Sequence, residues 1–206
     1  MLFKNHNNVS SDSTLRIEHI LSKKQINSIL HSDPFLKAGF VSRLVSETNI
    51  DILYLDLDLL YSGYVVSGIL PLQKNLILFQ PTAETFGKVM TEILVKASAS
   101  QTLVVVDSIN GLFSLLNQKK DVGKIVTSVV MLLASIARMT NSCVVVANMV
   151  RYKKEEGWVL SPTGGRLIET KNSKKILLEY DRGGIVLNLL DESKMILVPA
   201  SSIPLV

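Results

Sequence analysis

Apolar positions along this chain keep one rhythm up to about residue 150 and another beyond it. Phe86, Val89, Met90, Ile93, Leu94 and Ala97 recur at i, i+3, i+4, i+7, i+8 and i+11, the stripe of an amphipathic helix. Val122, Ile125, Val126, Val129, Val130, Leu133, Ile136 and Ala137 repeat that spacing in a second helix. Between them Leu103-Val104-Val105-Val106 runs unbroken into Asp107, and a run without alternation predicts a strand buried on both faces. Cys143 to Ala147 predicts another.

Upstream, Leu15, Ile17, Ile20 and Leu21 suggest a short helix, with a strand around Ile26, Ile29 and Leu30 and a helix from about Phe35 to Val45. The stretch Ile50 to Leu60 contains a strand with acidic punctuation, and a strand from Asn75 to Phe79 stops at Gln80-Pro81 because proline cannot extend a ladder. Past residue 150 the pattern becomes short strands: Ile176 to Tyr180, Ile185 to Leu190 and Met195 to Val198, with the turn Asp181-Arg182-Gly183-Gly184. Strand and helix alternate and a β meander closes the chain. That order predicts an α/β fold, a mainly parallel central sheet flanked by helices with antiparallel C-terminal strands. Residues 1–13, rich in Asn and Ser, read as a flexible arm, and residues 14–206 as a single core domain.

Composition narrows the picture only a little. Apolar residues at 47% and charged residues at 19% belong to a globular protein rather than a disordered one. A net charge of +4 permits an acidic partner such as nucleic acid without requiring one. The single cysteine, Cys143, excludes an internal disulfide and reads as a buried small hydrophobe. The N-terminus is polar and no run of 18 apolar residues occurs, so a cytoplasmic or nucleoid-associated protein without a membrane partner is expected. His6, His19 and His31 lack metal-ligand spacing and a matching nucleophile motif, so neither a metal site nor hydrolase chemistry is expected.

Four segments then matter by their order. They are Tyr54-Leu55-Asp56-Leu57-Asp58, Asn75-Leu76 with Gln80-Pro81, Leu103 to Leu112 (LVVVDSINGL), and Ala147-Asn148-Met149-Val150 followed by a loop and Pro162-Thr163-Gly164-Gly165. Over about residues 14–198 this series resembles the ATPase core of the RecA/RadA recombinase family, especially its short RadA/RadB-like paralogs without an appended DNA-binding domain. The resemblance implies a RecA-like P-loop NTPase fold. It also places Asp107 where the family holds the magnesium of a nucleotide.

The glycine-rich phosphate loop that should accompany Asp107 is degenerate. Against the family pattern Lys37 falls on the phosphate lysine, His31 and Leu36 on the two glycines, and Ala38 on the magnesium-binding hydroxyl. Glycines let backbone amides wrap a phosphate, and side chains obstruct that approach. Leu36 would intrude on the phosphate path and Pro34 removes an amide donor. Asp58 stands where a glutamate would activate water, and Met149 where a glutamine would sense the terminal phosphate. The resemblance therefore implies an inactive ATPase scaffold with Lys37, Asp58 and Asp107 as vestiges and no cofactor, ATP and magnesium included. Lys37 is expected to be a solvated surface lysine, and Asp107 to hydrogen-bond neighbouring backbone.

Arg151, Tyr152, Lys153, Lys154 and Trp158 lie where the family carries its second DNA loop, and cations with aromatics suit single-stranded nucleic acid. Arg166 is a further candidate contact, and Lys119-Lys120 fall near the family's first DNA loop. Glu155 and Glu156 argue instead for a self-paired loop with Trp158 tucked onto the domain.

The resemblance implies an accessory or mediator in DNA recombination and repair, with single-stranded DNA, a recombinase, another RecA-fold paralog or a second copy of the chain as partner. An alternative is a structural subunit of a ring like the Elongator accessory subcomplex, in transfer-RNA modification. A weak ATPase is a third reading. Leu59, Leu60, Tyr61 and Tyr64 either cover the vacated pocket or form an oligomer contact, and Ile203 to Val206 are expected to pack on the chain's own sheet.

Overall fold

The computed structural model describes residues 9–10, 16–161, 173–200 and 203. Among the described residues ten strands form one sheet in the order β1-β10-β9-β8-β2-β6-β5-β3-β4, with β7 paired to β6 off this path. The strands are β1 (Val9–Ser10), β2 (Ile26–His31), β3 (Asp51–Asp56), β4 (Leu76–Phe79), β5 (Thr102–Asp107), β6 (Cys143–Lys153), β7 (Gly157–Leu160), β8 (Lys174–Asp181), β9 (Gly184–Leu189) and β10 (Lys194–Pro199). β2 to β6 pair in parallel, as does β8 with β2, while β9 is antiparallel to both β8 and β10.

Side chains alternate across a strand, and here the alternation sorts them into two helical layers. Leu103 and Val105 face one layer, with Phe40, Val41 and Leu44 of α1 (Pro34–Glu47) and Tyr61 of α2 (Leu60–Val66). Val104 and Val106 face the other, with Met90 and Ile93 of α3 (Phe86–Ala99), Leu112 of α4 (Ile109–Leu115), and Val129 and Leu133 of α5 (Val122–Thr140). Burial on both faces is why β5 carries no polar alternation. The same parity sends Asp107 into the layer containing α1. α5 is long and apolar enough to cross a membrane by composition, but its Val126-Val129-Val130-Leu133 face is packed in this core.

Pro34 has a different role from the one expected of it. It opens α1, where a missing amide costs nothing, and the Asp33 carboxylate caps the helix by accepting from Phe35 N at 2.8 Å. The short helix expected near residues 15–21 is a 3₁₀ turn, Ile17–His19. The loop expected after Val150 is a hairpin, because β6 runs on to Lys153 and pairs with β7. Val9 and Ser10, from the segment read as a flexible arm, pair with Met195 and Ile196 of β10. Ile203 is buried in the α1 layer, and a Cβ at Gly39 would lie 3.1 Å from its Cγ2. Pro204, Leu205 and Val206 lie outside the described residues, as do Pro162 to Gly165 and Arg166.

Candidate functional site

The site is built at the C-terminal ends of β2, β3 and β5, beneath the first turn of α1. Lys37 lies in that turn, and its side chain is 0% exposed. Its ammonium donates to Asp58 Oδ2 at 2.8 Å and to Asp107 Oδ1. The second Asp107 oxygen accepts from the Tyr54 hydroxyl at 2.6 Å, and Ser108 Oγ donates to Asp58 Oδ1 at 3.2 Å. Both oxygens of Asp107 therefore accept, which is the pattern of an ionised carboxylate. The backbone fixes the geometry as well, with Leu57 N and Asp58 N donating to Asp107 O at 2.7 and 3.2 Å. Gly111 is required by close approach, since a Cβ there would lie 2.6 Å from Asp58 Oδ1 and 2.7 Å from Leu57 Cβ.

Electrostatics follow from burial and pairing. Burial works against the charge on Lys37, but the Asp107 and Asp58 carboxylates outweigh it and hold the ammonium above its ordinary pKa. Burial raises the Asp107 carboxyl, with Lys37 and Tyr54 pulling against it. Burial, then the adjoining Asp107 charge, pushes the Tyr54 hydroxyl well up. His31 is lowered to about 4 by burial and by the Lys37 charge, so its imidazole is neutral. It is buried, and neither ring nitrogen has a hydrogen-bond partner among the described residues.

Asp56 completes the cluster. Its Cα is in register with that of Asp107 on the adjoining strand. Its Oδ2 accepts from Ser62 N at 2.8 Å, while Oδ1 is buried without a partner among the described residues. Ser62 Oγ in turn accepts from Gln80 Nε2 at 2.7 Å. Tyr61 stacks on Tyr54 with centroids 4.8 Å apart and is raised to about 12 by burial and by Asp56.

Three expectations are corrected by this geometry. Lys37 is not a solvated surface lysine, because two carboxylates draw its ammonium inward and compensate its desolvation. The Asp107 carboxylate bonds the Lys37 and Tyr54 side chains rather than neighbouring backbone. Leu36 does not project toward a phosphate path; it packs in the α1 layer. At the start of α1, Asp33 supplies the anion that a helix N-terminus attracts. Tyr54, Ser108, Asp33 and Asp56 belong to the cluster although sequence reading assigned them no role. A tyrosine in an otherwise apolar strand is the signal for Tyr54, since a buried hydroxyl needs a partner.

The second candidate region is the β6–β7 hairpin. Tyr152 and Trp158 are cross-strand partners whose rings meet edge to face at 5.5 Å. Trp158 is partly buried against the Leu30, Val150 and Leu177 cluster, and Lys153 pairs with Glu156 at 2.7 Å. Arg151, Tyr152 and Lys154 are exposed. Lys119 and Lys120 are exposed in the turn between α4 and α5, and Arg166 is outside the described residues. Asn110 of α4 ties this end of the sheet together, its Oδ1 accepting from Met149 N at 3.0 Å.

Among solved structures the chain is similar to the crystal structure of the RadB recombinase, with a TM-score of 0.56 at 17% identity, over 82% of this chain and 81% of that one. The fold is RecA-like. That likeness accounts for the parallel strands, their helices and the antiparallel C-terminal edge. No protein-family model matches the chain, and neither does any curated protein.

Proposed function

We propose that this chain is a RecA-fold subunit that has given up nucleotide chemistry and serves as an accessory in DNA recombination, joining a recombinase or single-stranded DNA. The observation that carries the reading is the Lys37 ammonium, wholly buried and neutralised by Asp58 and Asp107. A phosphate entering there has to part a buried ion pair, which costs on the order of 3–5 kcal/mol when one partner is lost. Asp58 has both oxygens engaged, by Lys37 and Ser108, which leaves it poorly placed to activate water. The RecA-like fold supports an assembly role, and the exposed Arg151, Tyr152 and Lys154 of the hairpin support a nucleic-acid contact.

Equilibrium titration with a fluorescent ATP analogue and magnesium tests the reading, on wild type and Asp107→Asn. No binding by either is the expected result. Magnesium-dependent binding that Asp107→Asn abolishes would return the chain to the ATPases.

A further inference from the structure

We propose that the outer face of α5 is a self-association surface, on which a second copy of this chain packs its own α5 antiparallel about a two-fold axis. The surface lies in the opposite helical layer from Lys37 and is independent of the site there.

Helical period divides α5 into two sides. Val126, Val129, Val130, Leu133 and Ala137 are buried in the core between helices and sheet. At about 3.6 residues per turn, Ser128, Met131, Leu132, Ser135 and Met139 share the other side, with Lys124 and Arg138 at its ends. The solvent side of a surface helix is normally charged and polar. Here its middle is apolar, with Met131 56%, Leu132 50% and Met139 79% exposed. Lys124 and Arg138 are the only charged residues of the helix, which holds no carboxylate.

The order of residues along this side names the occupant. It runs Lys124, Ser128, Met131-Leu132, Ser135, Met139, close to the same spacing in either direction. Two copies packed antiparallel, with the axis between Met131 and Leu132, set each Met131 against a Leu132 and each Ser128 against a Ser135. The small serines let the helix axes approach, and the methionine and leucine fill the space between them. Lys124 then comes against Met139, where its aliphatic stem packs while its ammonium stays in water.

Charge favours the same register. Asp121, just before α5, is half exposed and pairs with Lys124 at 3.2 Å. Arg138, in the last turn, has no ion-pair partner among the described residues. Antiparallel packing brings Asp121 of one copy within a turn of Arg138 of the other, twice per dimer, so a carboxylate meets each guanidinium. A parallel pair would instead set Lys124 beside Lys124 and Arg138 beside Arg138, a juxtaposition that repels. Anionic lipid is a poorer match, because interfacial helices are rich in cations and this side has serines at its centre. One helix from each copy makes a small interface, below about 1,200 Å² in total, so the dimer is reversible rather than obligate.

Sedimentation velocity of the full chain over a hundredfold concentration range tests this. The expected result is a reversible monomer–dimer equilibrium. Leu132→Glu, at an exposed position, should weaken it at least tenfold while the thermal melt stays that of wild type. Asp121→Arg and Arg138→Glu should each weaken it severalfold, and the two combined should restore it, because the exchanged charges meet again only in the antiparallel register. A monomer at every concentration, a dimer indifferent to Leu132→Glu, or a double variant no tighter than its parents would overturn the proposal. So would a monomer that co-sediments with phosphatidylglycerol vesicles, which would assign the face to lipid.

Discussion

Two clusters of opposite charge sit near one end of this sheet, and they obey different rules. Lys37 with Asp107 is sealed under α1, Asp58 at their edge being 31% exposed, whereas Lys153 with Glu156 crosses the tip of the β6–β7 hairpin with side chains 40% and 58% exposed. Both include a lysine–carboxylate contact 2.8 Å or shorter. In the hairpin, water screens the charges and each group keeps solvent when its partner is removed. Under α1 no solvent replaces a lost partner, so the lysine and carboxylates depend on one another. A contact distance does not reveal an interaction's worth; burial does.

The contrast is open to attack from its strong side first. Lys37→Met should lower unfolding free energy by about 3–5 kcal/mol, because it leaves the Asp107 carboxyl in the core without its cation. Denaturant melts would read this, and adding Asp107→Asn should recover part of the loss by removing the orphaned charge. A melt for Lys37→Met within 1 kcal/mol of wild type would mean the cluster is hydrated after all.

Acid sharpens the comparison next. His31 has a folded value of about 4 against an ordinary 6.5, so between those values the unfolded chain takes a proton that the folded chain refuses. Its contribution is complete above the ordinary value and lost as pH falls through the window, by up to about 3 kcal/mol. Melts repeated from neutral to acid pH should show that decline, and in His31→Phe the part due to this group should vanish.

The smallest effect belongs to the hairpin. Glu156→Ala should change stability by less than about 1 kcal/mol, measured in the same melts, and should leave the edge contact of Tyr152 with Trp158 intact. A loss as large as that of Lys37→Met would erase the distinction between the two clusters.

Much of the frame could be read from the chain, for physical reasons that also explain the gaps. α3 and α5 carry full helical stripes, and β5 and β6 carry unbroken apolar runs, so period alone identifies them. α2 and α4 are seven residues each, too short for a stripe to repeat. The hairpin escaped notice because polar Arg151, Tyr152 and Lys153 break the apolar signal of β6 before its ladder ends. Lys37, Asp58 and Asp107 could be named from their order. The burial of Lys37 could not, because its partners lie 21 and 70 residues away and only the folded sheet brings three charges together. Tyr54 stayed unassigned for the same reason, its acceptor being 53 residues along the chain.

The placement of β2 has a consequence for how this molecule is made. Its neighbours are β6, pairing Ile26 with Val144, and β8, pairing Asn27 with Lys174. This strand thus has no ladder to join until Val144 has left the ribosome. Closing such long loops is slow, and a strand carrying Ile26, Ile29 and Leu30 that waits with open edges is a hazard for aggregation. For this chain, a nascent-chain holdase bound near Ile26–Leu30 would matter most during synthesis, and its hold would ease only once Lys174 emerged.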